Sequence, residues 1–258
     1  MRITSVQNPR VKDAVRLRDR RGRERQGRLI IDGRREVERA LAAGLPLIDI
    51  FVRDDVAAEQ LGAIPRGQCI ELPETLFAKL AYGDRSDGVV AVAETPRVTL
   101  RDIVPGDLPL VAVLDGIEKP GNVGAILRTA DAAGIDAVVI CDGGTDLYNP
   151  NAIRASLGAI FTLPVCAASG QETRDWLKQQ GMQAFAARVD GSISYTAADY
   201  RQAAALVLGS EAAGLGDNWA GEDVIAVRLP MRGAADSLNV SATAAVLFYE
   251  ALRQRDAH

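Results

Sequence analysis

Three loops of this 258-residue chain gather side chains suited to chemistry, each just beyond an apolar run. "DGIEKPGNVGAILRTA" (115–130) offers Asn122 and Arg128, "LVLGSEAAGLGDNW" (206–219) offers Glu211 behind Gly209, and "LPMRGAADSLNVSATA" (229–244) offers Ser237 and Asn239. The only histidine is His258, the last residue. That argues against a Ser-His-Asp triad, a Cys-His pair and a histidine metal site. Chemistry here must rest on Arg, Lys, Asp, Glu, Ser, Asn or backbone dipoles.

Each loop supports two readings. Asn122 stands where a helix begins and can serve as its N-cap, or it can face a phosphate or ribose approaching that helix end. Arg128, read as lying in the first turns, is badly placed for helix-dipole complementarity, since cations favour the other end. Gly209 directly after a strand leaves room for a ligand near the backbone. Yet "GSEAAGLG" is neither a Walker loop nor a dinucleotide fingerprint, because its glycines have the wrong spacing. Ser237 or Asn239 can cap the last helix, expected from about Ser237, and can equally hold a ligand. Local chemistry leaves both readings open.

The surrounding elements are expected in two groups. The first reads as a polar helix from Arg10 to about Arg25, then strands at "RLIIDG" and "LIDIFVRDD" with a helix between them, a short strand and helix within "CIELPETLFAKLA", and a strand at "DGVVAVAET". Residues 97–107, in a proline-bearing stretch, read as a linker between a domain at 1–96 and another at 108–258. Beyond it, near-continuous apolar strands alternate with helices. This predicts an α/β domain with a mainly parallel sheet, in which ligands bind past the carboxyl ends of the strands.

Composition narrows the function. The chain is 48% apolar, enough for two modest cores, and has no run of about 18 apolar residues that would span a membrane. Cys69, Cys141 and Cys166 sit in apolar surroundings, as reduced core thiols of a cytoplasmic protein would; no metal site is expected. Residues 1–28 carry ten basic side chains against Asp13, Asp19 and Glu24, and Arg outnumbers Lys nine to one. Guanidinium forks suit phosphates, so a basic end on an acidic body reads either as a polyanion grip or as a solvated helix face.

Taken in order, "PGNVGAILRTA", "YNPNAIRASLGAIFTLPV", "LVLGSEAAGL" and "LPMRGAADSLNVSATAAVLFYE" resemble segments of the SpoU/TrmH-type ribose methyltransferases of the SPOUT superfamily. "ITSVQNPRVK" with "LIIDGRREVERAL" resembles the ribosomal-protein-like substrate-binding domain often fused ahead of them. One departure is Ala212-Ala213-Gly214, where many relatives carry Gly-Glu-Gly after the glutamate, which puts the shape of that turn in question.

The resemblance implies an α/β fold ending in a trefoil knot, a homodimer, and S-adenosyl-L-methionine as methyl donor to an RNA ribose 2′-hydroxyl. Ribosomal RNA is favoured over transfer RNA; a non-catalytic RNA-binding or ribosome-assembly protein is the alternative. Gly209, Leu229 and Leu238 then match cofactor-binding positions, with Met231 a further wall. Asn122, Arg128, Glu211, Ser237 and Asn239 match positions around the ribose, and Glu211 could pair with Arg128 or with a backbone amide. Arg18, Arg20, Arg21, Arg23 and Arg25 are expected to dock RNA, and Arg154 to touch a phosphate.

Overall fold

A computed structural model describes residues 1–82 and 87–256; His258 lies outside the described residues. Packing divides the chain into two units, Met1–Pro96 with Asp146–Thr162, and Arg97–Thr145 with Leu163–His258.

In the first unit the expected single arginine-rich helix is two helices, α1 (Pro9–Arg16) and α2 (Arg20–Gln26). Asn8 caps α1 by accepting from the Arg10 N–H at 3.0 Å, and Pro9 occupies the first position, where an N–H has no partner anyway. The chain breaks because Leu17 turns into the core, fully buried with Val11 and Ala14. The Arg23 guanidinium then takes up the carbonyls of Leu17 and Arg18, at 2.5 and 2.9 Å. Gly22 permits the fold-back: a Cβ there would sit 1.8 Å from the Arg16 carbonyl oxygen.

Strand β1 (Arg28–Asp32), helix α3 (Arg34–Ala42), strands β2 (Leu47–Arg53) and β3 (Cys69–Leu72), helix α4 (Glu74–Phe77) and strand β4 (Val89–Glu94) follow. The sheet order is β1-β4-β2-β3, with β4 antiparallel to β1 and β2, and β2 parallel to β3.

The second unit opens with the stretch expected as a linker. It is no bare tether: Ile103 is buried in this unit's core, Val98 and Leu100 pack against it, and Thr99 and Asp102 close a short helical turn. Then come β5 (Leu110–Asp115), α5 (Pro120–Ala132) and β6 (Ala137–Cys141). The following segment, which lies in the C-terminal part by chain order, packs in the first unit, where its helix α6 (Pro150–Ala155) lies against β1.

The chain returns as β7 (Val165–Ala168), α7 (Gly170–Gln179), β8 (Gln183–Ala187), β9 (Ile193–Ser194), β10 (Ala204–Leu208), β11 (Val224–Arg228) and α8 (Val240–Asp256). The two-residue β9 is too short to leave a sequence pattern. Every pairing in the order β7-β6-β5-β10-β8-β11-β9 is parallel. Strands β6 and β10 are buried along their whole length, which explains their unbroken apolar sequences. Helix α8 packs against α5 and begins at Val240, three residues later than expected.

Candidate active site

Strands β5 and β10 are parallel neighbours, so the loops leaving their carboxyl ends meet. Glu211 is the meeting point. Its Oε1 accepts from Asn122 Nδ2 at 2.9 Å and from Asn239 Nδ2 at 2.5 Å, while Oε2 pairs with the Lys119 ammonium. Lys119 holds the Glu211 carboxyl below the usual carboxylate range, and the Asn122 amide and Val240 N–H act the same way. Glu211 is therefore an anion that orients donors; a carboxylate so well satisfied is a poor proton acceptor at neutral pH.

One local expectation changes and another is narrowed. Asn122 is not the N-cap of α5: Lys119 occupies that position, Pro120 follows, and Asn122 lies in the first turn with its amide on Glu211. Asn239, not Ser237, closes α8, since its Oδ1 accepts from the Ser241 N–H at 2.9 Å while Nδ2 reaches Glu211. Asn239 thus caps α8 with one end of its amide and reaches Glu211 with the other.

Beside the cluster lies a cleft of about 460 Å³, lined by Gly209, Glu211, Leu229, Met231, Ser237 and Leu238 among others. That volume falls within the range of small-molecule sites. Its wall also includes Leu208, Leu215 and the 75% exposed Val189, with the Arg188–Asp190 ion pair at 2.9 Å on the rim. The small size of Gly209 serves the protein itself: a Cβ would sit 2.4 Å from the Gly214 backbone. The Ala212-Ala213-Gly214 departure forms a closed turn, with paired Ser210 and Gly214 backbones at 2.9 and 3.1 Å and Gly214 at φ +66°.

Arg128 is not brought to this cluster. It is the ninth of thirteen residues in α5, beyond the first turns, exposed, and its side chain makes no hydrogen bond or ion pair among the described residues. Of the two partners expected for Glu211, the backbone amide is there as the Val240 N–H, while the cation is not Arg128 but Lys119, a residue the sequence reading passed over. A cation at a helix N-terminus, against the dipole, was the available signal.

The arginines of the first unit also separate. Arg21 and Arg25 are exposed without partners among the described residues; Arg20 pairs with Glu24 at 2.7 Å. Arg18 donates to the Lys79 carbonyl at 3.1 Å and lies over the Tyr82 ring, 5.7 Å from its centroid. Arg23 is 5% exposed and spent on Asp146 and two carbonyls, so it has no donor face left for RNA. Arg154 donates to the Tyr82 carbonyl and is partly buried.

Among the described residues, no group of three or more His, Cys, Asp or Glu could hold a metal ion, and no helix is long and apolar enough to cross a membrane. Residues 109–249 match the SpoU rRNA Methylase family and residues 8–91 the MRM3-like substrate binding domain. The chain is 30% identical to the 23S rRNA (guanosine(2553)-2′-O)-methyltransferase RlmP of Bacillus subtilis, over 96% of this chain and 97% of that protein. A crystal structure of an RNA 2′-O ribose methyltransferase superimposes with a TM-score of 0.86 at 43% identity, covering 99% of each chain. The AdoMet-bound rRNA methyltransferase from Sinorhizobium meliloti gives 0.88 at 30% identity, over 98% of this chain and 97% of that one. With the two matched segments in this order and near full-length likeness to such enzymes, the chain belongs to the SpoU rRNA methylase family, with an MRM3-like substrate-binding domain ahead of the catalytic region.

Proposed function

We propose that the chain methylates the ribose 2′-hydroxyl of one nucleotide in ribosomal RNA. The observation that carries this reading is the Asn122–Glu211–Asn239 cluster at the side of an apolar-walled cleft of about 460 Å³. Gly209, Leu229, Met231 and Leu238 hold S-adenosyl-L-methionine there, which supplies a methyl group on a positively charged sulfur. The fit is chemical as well as spatial: the cleft offers apolar walls for an adenosyl group and the Asp236 carboxylate for its charge.

Asn122 and Asn239 orient the ribose, and Ser237 contacts RNA or cofactor from the same loop. Holding the hydroxyl in one orientation toward the methyl donor would remove part of the barrier by positioning. The planar, five-donor guanidinium of Arg128 suits it to holding a ribose-phosphate and stabilising developing alkoxide. Its absence from the cleft lining of a single protomer favours a homodimer in which a second copy supplies it. Exposed Ala242 and half-exposed Tyr249 on α8 offer an apolar face for that association.

Arg18, Arg20, Arg21 and Arg25 dock folded RNA through phosphates. The cytoplasm is the compartment where ribosomal RNA of this kind is modified. Mapping 2′-O-methyl positions in total RNA from cells with and without the gene tests the assignment. A missing methyl in ribosomal RNA is the expected result, and one in transfer RNA would move the substrate class. An unchanged map, with calorimetry showing no S-adenosylmethionine binding, would leave a non-catalytic RNA binder.

A further inference from the structure

We propose that Lys119 is a positioning residue for methyl transfer: it fixes the Glu211 carboxylate so that Asn122 and Asn239 present their amides to the ribose. This rests on the reading of the Glu211 cluster as the reacting site.

Three observations carry it. Lys119 is the N-cap of α5 yet makes no side-chain capping bond, and its charge opposes the helix dipole; helix stability does not explain a cation there. Its ammonium bonds Glu211 although the side chain is 71% exposed and otherwise free to stay hydrated. Finally, the two Glu211 oxygens have different work. Oε1 receives both asparagine amides, and Oε2 receives Lys119.

A carboxylate torsion is soft and close to two-fold, so two bonds converging on one oxygen do not fix its plane. The Lys119 contact to the second oxygen does. Pro120 restricts the Lys119 backbone to extended conformations, which gives the ammonium a defined starting point.

The charged surroundings of Glu211 are few. Lys119 comes from the start of α5, and the N–H of Val240 from the start of α8. The other charged groups of the cleft wall are Arg188 and Asp190, paired with each other at 2.9 and 3.1 Å, and Asp236. Lys119 is thus the cation that favours the ionised form of Glu211, and replacing it raises the carboxyl toward its ordinary value.

The test uses the full-length protein, labelled S-adenosylmethionine and ribosomal RNA from cells lacking the gene, with Lys119→Gln, Lys119→Arg and Glu211→Gln. The expected result for Lys119→Gln is a kcat lower by about tenfold, with calorimetric cofactor affinity and melting temperature unchanged. The acid-side inflection of its pH–rate profile moves to higher pH, a change that a merely structural residue would not produce. Lys119→Arg restores most of the rate. A Lys119→Gln enzyme matching the parent at every pH, or Lys119→Arg as impaired as Lys119→Gln, overturns the proposal. If Glu211→Gln is slow while Lys119→Gln is normal, this inference alone fails. If Glu211→Gln is also normal, the cluster is not the reacting site.

Discussion

Asp32 in the first unit and Glu211 in the second are carboxylates with an N–H donor and a cation close by, and their environments move them in opposite directions. Asp32 is 7% exposed, and burial pushes its carboxyl up to about 6 although the Tyr82 N–H and Arg154 pull it down. Glu211 is exposed, and Lys119, with the Asn122 amide and the Val240 N–H, holds it down. Desolvation decides the first case and partners decide the second. The same contrast divides the cations. Arg23 is buried on Asp146 and two carbonyls, whereas the Lys119 ion pair is open to water. Buried charges of this kind are committed to the fold, because removing one strands its partner away from water. Exposed ones add little stability and remain able to act on a ligand.

That contrast can be broken in stages. The largest effect is expected at Arg23. Arg23→Met should cost about 3–5 kcal/mol of stability, read from a denaturant titration that resolves the first unit, with cofactor affinity unchanged. Loss of RNA binding without loss of stability would place Arg23 at the RNA surface after all. Next comes Asp32, whose folded carboxyl lies above its unfolded value. Its neutral form stabilises the fold at low pH, and that contribution is lost as pH rises from about 4 to 6, up to about 3 kcal/mol. Asp32→Asn should flatten that slope; an unchanged slope would assign it to other groups.

Glu211→Gln should lower methyl transfer by about a hundredfold while the melting temperature stays put, the reverse of the Arg23 pattern. Leu238→Ala, on the cleft wall, should weaken S-adenosylmethionine binding about tenfold by calorimetry. The smallest effect belongs to Arg21 and Arg25. Replacing either with Gln should weaken RNA binding a few-fold and reduce its salt dependence by about one counterion. A salt slope equal to the parent's would mean these side chains face solvent only.

Continuous stretches of chain were legible by themselves. The apolar runs that became β5, β6 and β10 follow from burial on both sheet faces, and the loops after them had to lie at strand ends. Gly209, Leu229, Met231 and Leu238 could be marked as one pocket because the resemblance supplied their grouping, and they do share a cleft. The single helix expected from Arg10 to Arg25 failed because charge pattern does not reveal a turn whose carbonyls are satisfied by a later arginine.

By itself, then, the sequence determined the element types, the parallel sheet and the loops where chemistry could gather, since these depend on periodicity and neighbouring residues. Tertiary structure decided which charges meet. Lys119 and Glu211 are 92 positions apart, and Arg23 and Asp146 are 123 apart. No local pattern encodes such a partner, because whether a charged side chain is buried or open depends on what folds over it. That same fact sent α6 into the first unit and left Arg128 out of the cleft lining.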